Sequence, residues 1–425
     1  MAGGPNGKAS PLLLSAARRL AALAVCPRRA CRCRMDKPLE QTTVPGAMKV
    51  PITRPALGSD EAVALAEPLS TGWIVQGPKV REFERAFCDL SRAPHALATT
   101  SCTTALHLAL SVLGVGAGDE VVVPSFTYVA SANVVEQCGA TVVFVDIDSS
   151  TFNADPAALE AALSPRTRAI MVVHLFGLLA DMEPIMAMAR ERGIPVIEDA
   201  ACAVGSRLRG QHAGTFGDFG AFSFHARKVV TTGEGGMLTV SSVDQARLAS
   251  IMRSHGGQVS DLERHRMGAF ALPDHEVVGF NYRMTDLQAA LGIVQLRRLD
   301  ELVGRRRDLA AAYDEALSDI QGVVIPHMPH GAEHTYQSYV LRFTREAAMR
   351  RDEVAVALQR RGISTRQGTH AVHLLAYYRR KYGVATTDFP RSLDADRNSL
   401  SLPIFPAMTP EEQDYVIAGL RELLG

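Results

Sequence analysis

Short, continuously apolar runs alternate with helical patterns between about residues 95 and 240. That alternation narrows the possible folds more than any other feature of the chain. The runs are "EVVVP" (120–124), "TVVFVDI" (141–147), "RAIMVVHLF" (168–176), "PVIED" (195–199), "FGAFSF" (219–224) and "GMLTV" (236–240). Strands buried on both faces have this texture, because neither face needs polar residues. Between several of them lie "TTALHLALSVLG" (103–114), "SANVVEQCG" (131–139) and "EPIMAMARERG" (183–193), each of helical pattern. The alternation predicts an α/β fold with a mostly parallel sheet covered by helices. After residue 300 comes a long amphipathic stretch, a strand candidate "SYVLRF" (338–343) and two more helical patterns. On this reading residues 1–47 are an extension, 48–300 a large domain and 301–425 a smaller C-terminal α+β domain. A chain of 425 residues is long enough for both.

Charge and cysteine usage exclude some functions. Formal net charge is zero, the hydrophobic fraction 47% and the charged fraction 21%, ordinary for a soluble globular protein. Neither nucleic acid nor a membrane is expected as a partner. Residues 1–35 hold seven Lys or Arg and no acid, which leaves 38 basic and 45 acidic groups for the rest. Arg18 and Arg19 interrupt the only apolar stretch there, so it suits neither a secretory signal nor a membrane span. It reads as a targeting presequence or, more simply, as an unstructured extension before Met35 or Met48. Seven cysteines occur with no CxxC pair and no Cys/His ligand spacing. That argues against structural zinc and disulfides, no metal is expected, and a reducing, cytoplasmic compartment fits.

Three polar residues fall at or just beyond predicted strand ends, where open α/β sheets bind ligands. Asp199 closes "PVIED", Ser223 sits in "AFSF" and Lys228 follows five residues later. Singly they read as a helix cap, a core hydroxyl and a surface charge. Together they match what pyridoxal phosphate requires: an amine to bind it, a carboxylate for its ring nitrogen and donors for its phosphate. "TSCTTALHLAL" (100–110) offers such donors at a helix start through Cys102 and Thr103, although a plain N-cap would look the same. Tyr128, after a strand, could stack on a flat ring or simply pack in the core. "GVGAGDE" (114–120) and "TTGEGG" (231–236) match neither a dinucleotide fingerprint nor a phosphate loop, so NAD and ATP are not expected.

The segments "IEDAACAVGSRLRGQHAGTFGDFGAFSFHARKVVTTGEGGML" (197–238), "GFNYRMTDLQAALG" (279–292), "STGWIVQGPKVREFERAF" (70–87) and "PSFTYVASAN" (124–133) resemble the DegT-type sugar-nucleotide aminotransferases. That resemblance, over roughly residues 48–425, implies an aspartate-aminotransferase-like fold of type I with a seven-stranded, mostly parallel sheet. It implies pyridoxal 5'-phosphate as cofactor. Lys228 would hold it and shuttle the proton, and Asp199 would pair with the ring nitrogen. Cys102, Thr103 and Ser223 would bind phosphate, and Tyr128 would lie against the ring. Cys202 stands near the cofactor where glutamine or histidine is frequent. Asn281 would reach the phosphate of a neighbouring subunit, since sites in this family form at a homodimer interface. Trp73, Arg283 and His373 would face the substrate.

The function so implied is amino transfer, with L-glutamate as donor, to a nucleotide-linked keto-deoxysugar for polysaccharide or glycan synthesis, as in a perosamine synthase. Burial is expected to lower the pKa of Lys228 and so supply its neutral, nucleophilic form. Two alternatives keep the fold. A pyridoxamine-phosphate-dependent sugar dehydratase carries histidine at the lysine position, and a non-catalytic regulator would have lost Lys228 or Asp199.

Overall fold

The structure is a computed structural model that describes residues 48–257 and 274–425; the expected extension, residues 1–47, lies outside the described residues. Seven strands form the main sheet: β1 (His95–Thr99), β2 (Glu120–Pro124), β3 (Thr141–Val145), β4 (Thr167–Val173), β5 (Val196–Asp199), β6 (Phe219–Ser223) and β7 (Gly236–Val240). Their order is β1-β7-β6-β5-β4-β2-β3. From β3 across to β6 every pairing is parallel, while β7 runs antiparallel to both neighbours. The six predicted runs are strands β2 to β7. β1, "HALAT", escapes the pattern because alanine has little strand preference, and its pairing with β7 makes it a strand.

Both faces of the sheet are buried, as the apolar runs require. Val121 and Val123 join one apolar cluster with Leu106 and Leu108 of the helix Cys102–Val112. Val122, between them, joins a second cluster on the opposite face with Ile185 and Met188. Alternate residues of one strand thus point to opposite cores.

Four helices frame the edge of the sheet where the polar residues gather: α1 (Pro78–Ser91), α2 (Cys102–Val112), α3 (Asp286–Arg297) and α4 (Leu299–Leu317). A second sheet holds β8 (Val323–Val324), β9 (Tyr339–Phe343) and β10 (Ser399–Leu402), all antiparallel. Its core packs Leu341, Phe343, Leu400 and Leu402 against Leu309, Tyr313 and Leu317 of α4. β9 is the predicted "SYVLRF" strand; β10, "SLSL", escapes the pattern because both its serines are buried along with its leucines.

One carboxylate joins distant stretches of chain. Asp286, buried at the first position of α3, accepts the N–H groups of Gly77 (2.8 Å) and Val80 (3.0 Å) on Oδ1 and of Lys79 (3.1 Å) on Oδ2. These belong to the start of α1, whose own cap, Gly77, has no side chain to satisfy them. The Asp286 N–H in turn donates to the Val75 carbonyl. Asp286→Ala, which strands three inward-facing donors, is expected to cost about 2–4 kcal/mol in denaturant unfolding. Asp286→Asn, which keeps an acceptor oxygen, should cost clearly less.

Candidate active site

Asp199 is the last residue of β5 and Ser223 the last of the adjacent strand β6. Lys228 stands on the loop that leaves β6 and returns as β7. Backbone hydrogen bonds knit that loop together: Phe224 N–H to the Gly235 carbonyl, Ala226 to Gly233 and Lys228 to His225. A further clamp reaches it from the C-terminal part of the chain, where Gln337 Nε2 donates to the Arg227 carbonyl at 2.7 Å. Gln337 is held in turn by Arg306, a buried guanidinium that donates to the carbonyls of Tyr336, Gln337 and Ile404.

The Asp199 carboxylate is 5% exposed and well furnished with donors. Oδ2 accepts from Ser131 Oγ at 2.7 Å, and Oδ1 accepts from the Ala201 N–H at 3.2 Å and the Cys102 thiol at 3.8 Å. Among the described residues it has no ion pair within 4.0 Å, and these three donors are neutral groups. Lys228, half-buried, donates from Nζ to Cys202 Sγ at 3.1 Å. Burial around the amine works to lower its pKa, but Cys202, by charge and hydrogen bond, and then Cys102 and Asp199 outweigh it. The free amine is therefore held above the ordinary lysine value. This is the reverse of the expected lowering: the Cys202 contact and the Asp199 charge more than offset desolvation.

A start of helix lies beside this pair. Ser101 caps α2 by accepting the Thr104 N–H at 3.1 Å, and Thr104 Oγ1 accepts the Ser101 N–H at 3.0 Å. The N–H groups of Cys102 and Thr103 have no partner within the helix. The Cys102 side chain does not point with them. Burial, then the Asp199 charge, pushes its thiol well above the usual range, so it stays protonated and donates to Asp199. The expectation of a phosphate contact by Cys102 is thereby reduced to its backbone. Gly236, first residue of β7, lets this turn come close: a Cβ there would lie 2.3 Å from the Ser101 carbonyl carbon and 2.6 Å from Cys102 N.

The remaining expected residues divide. Tyr128 is 65% exposed at the end of the segment after β2, its ring free to cover a ligand. Asn281 is exposed, and Arg283, bridged to Thr99, donates to Ser254 Oγ at 3.2 Å. No carboxylate pairs with Arg283 among the described residues. Trp73 is half-buried and lies over Gly77, on the stretch that Asp286 anchors. His373 does not face a ligand. It is fully buried, with Nδ1 2.5 Å from Ser125 Oγ, Nε2 3.4 Å from the Thr386 carbonyl and Phe389 against its ring. The expected substrate contact by His373 is thus corrected to a packing role; His370, three residues earlier, is exposed and pairs with Thr127 beside Tyr128. Sequence reasoning missed Ser131 and Gln337. Ser131 lies within "PSFTYVASAN", but nothing in its spacing ties it to Asp199.

The sequence profile of the DegT/DnrJ/EryC1/StrS aminotransferase family matches residues 55–421. The chain belongs to this family. It is 42% identical over 378 residues to GDP-perosamine synthase of Caulobacter vibrioides, covering 88% of this chain and 98% of that protein. It is 38% identical over 377 residues to the spore coat polysaccharide biosynthesis protein SpsC of Bacillus subtilis, covering 88% and 97%. Among solved structures it resembles the aminotransferase TlmJ of Streptoalloteichus hindustanus, with a TM-score of 0.81, 34% identity and coverage of 88% and 98%. It also resembles a sugar aminotransferase, Spr1654, of Streptococcus pneumoniae in its PMP form, with a TM-score of 0.83, 31% identity and coverage of 88% and 99%.

Aminotransferases of the DegT/DnrJ/EryC1/StrS family work with pyridoxal phosphate, and the residues present fit that group. A buried carboxylate with no ion pair within 4.0 Å among the described residues suits a protonated ring nitrogen. A lysine amine, a strand-end hydroxyl and two unpaired helix-start N–H groups stand on the same edge of the sheet. The close approach at Gly236 is testable. Gly236→Ala pushes the Ser101–Cys102 turn outward and is expected to weaken retention of pyridoxal phosphate at least about tenfold in equilibrium dialysis. Gly116→Ala, where an added methyl meets nothing within 4 Å, should leave retention unchanged.

Proposed function

We propose that this aminotransferase moves an amino group from L-glutamate to the keto group of a deoxysugar carried on a nucleotide, for polysaccharide or glycan synthesis. The observation that carries the reading is that a buried Asp199, with no ion pair within 4.0 Å among the described residues, stands with Lys228 at the carboxyl end of adjacent elements of one sheet. The 42% identity to a GDP-perosamine synthase supports a GDP-linked sugar, since perosamine is an amino sugar that the relative's name places on GDP.

Pyridoxal phosphate supplies a conjugated ring that accepts the electron pair left when a proton departs from the carbon bearing the amine. On our reading the chain does the rest. Lys228 anchors the cofactor through Nζ and, once released, carries the proton from one carbon to the other. Asp199, oriented by its donors, would pair with the ring nitrogen and favour its protonated form. The Cys102 and Thr103 N–H groups and the Ser223 hydroxyl hold the phosphate at the start of α2, where the helix dipole also favours an anion. Tyr128 covers the ring. The exposed Asn281, and exposed apolar residues Leu69, Ile74, Val75 and Val278, support a homodimer in which each subunit completes its neighbour's site. Arg283, without a carboxylate partner among the described residues, suits a diphosphate, and Trp73 the sugar.

We also propose the division near residue 300 into a larger and a smaller domain, supported by the separate apolar cluster that α4 builds with the three-stranded sheet. A cytoplasmic site is supported by the four free cysteines of the described residues. No helix among those residues is long and apolar enough to cross a membrane.

The direct test is formation of 2-oxoglutarate from glutamate in the presence of a GDP-linked keto-deoxysugar. Lys228→Ala is expected to lose at least about a thousandfold in rate while remaining folded by circular dichroism. Full activity in that variant would sink the assignment.

A further inference from the structure

Amino transfer in two half-reactions leaves the Lys228 amine unattached for part of every cycle, so the amine needs a second resting place. Three polar groups face it: Asp199 on the end of β5, Cys102 at the start of α2 and Cys202 on the turn after Asp199. Asp199 is already engaged, with Ser131 on Oδ2 and Ala201 and Cys102 on Oδ1. Cys102 is a buried donor whose thiol is directed at Asp199. Cys202 is half-buried, and its sulfur lies 3.1 Å from Lys228 Nζ.

We propose, resting on the aminotransferase function, that the Cys202 thiol receives the Lys228 amine whenever the amine is not bonded to the cofactor. By doing so it sets the pH at which Lys228 captures pyridoxal phosphate. As an acceptor, the Cys202 sulfur pairs better with an ammonium, a charged donor, than with a neutral amine, and a hydroxyl oxygen in its place would do the same. The contact therefore favours the protonated lysine, together with Asp199, against the burial that favours the neutral one. Removing the sulfur leaves burial less opposed, and the neutral amine then forms at lower pH. Capture of the aldehyde needs that neutral form.

The experiment strips the full-length enzyme of its cofactor and follows recapture of added pyridoxal phosphate by the visible absorbance of the lysine-bound form, at a series of pH values. In the wild type the rate should climb with pH. In Cys202→Ala the whole curve should move down by about one pH unit, about a tenfold faster capture at pH 7. Cys202→Val, which refills the volume without an acceptor, should move it the same way, and Cys202→Ser should restore much of the wild-type curve. An unshifted curve in both Cys202→Ala and Cys202→Val overturns the role of Cys202, even if the amount of cofactor bound falls. A wild-type protein that takes up no pyridoxal phosphate overturns the underlying function instead, so the two failures are told apart.

Discussion

A glycine with strands on both sides decides where the parts of this site meet. Gly236 pairs with Thr99 of β1 on one side and with Ser223 of β6 on the other, and presses against the Ser101–Cys102 turn. The strand it begins, antiparallel to both neighbours, is thus threaded between the strand that leads to α2 and the strand that leads to the lysine. Ser223, the start of α2 and the loop carrying Lys228 are brought to one edge by this register. A side chain at residue 236 would force the helix start away from the backbone it now nearly touches. Gly236, at the end of the glycine run after the lysine, is therefore a packing requirement of the sheet.

Electrostatics at this edge follow from the same crowding. The buried Asp199 side chain accepts from three donors, none of them a cation. The lysine nearby is drawn toward charge by its contact with Cys202 and by Asp199 more strongly than burial repels it. Before a ligand arrives, the amine is consequently protonated and the carboxylate unpaired. The carboxylate suits a ligand that brings a positive ring nitrogen, while the amine must give up its proton before it can take an aldehyde.

Regions far from the site in sequence hold it in place. Arg306 of α4 binds three backbone carbonyls, among them that of Tyr336, which takes the left-handed conformation (φ 47°). That conformation costs energy in a bulky residue and persists because its carbonyl and the next are gripped. Gln337 follows directly and reaches the carbonyl beside Lys228. Asp286, for its part, ties the Trp73 stretch to the segment that carries Asn281 and Arg283. The candidate substrate-facing side chains thus share a frame with the start of α1.

The sequence alone determined the sheet and the central chemistry. Apolar runs without polar alternation leave no other place for β2 to β6 than a doubly covered parallel sheet, and the ordered segments around Asp199, Ser223 and Lys228 marked the family. β1 and β10 were not legible, since alanine and serine strands carry no hydrophobic signal of their own and exist by pairing. Nor was the network within the site. That Ser131 meets Asp199 and that Cys202 meets Lys228 depends on which loops the sheet brings together, and spacing along the chain does not encode it. Tertiary structure alone also decided His373, whose ring is sealed between Ser125 and Phe389, and the protonation of Lys228. A pKa is the sum of burial and neighbouring charge, and both are known only when the chain is folded.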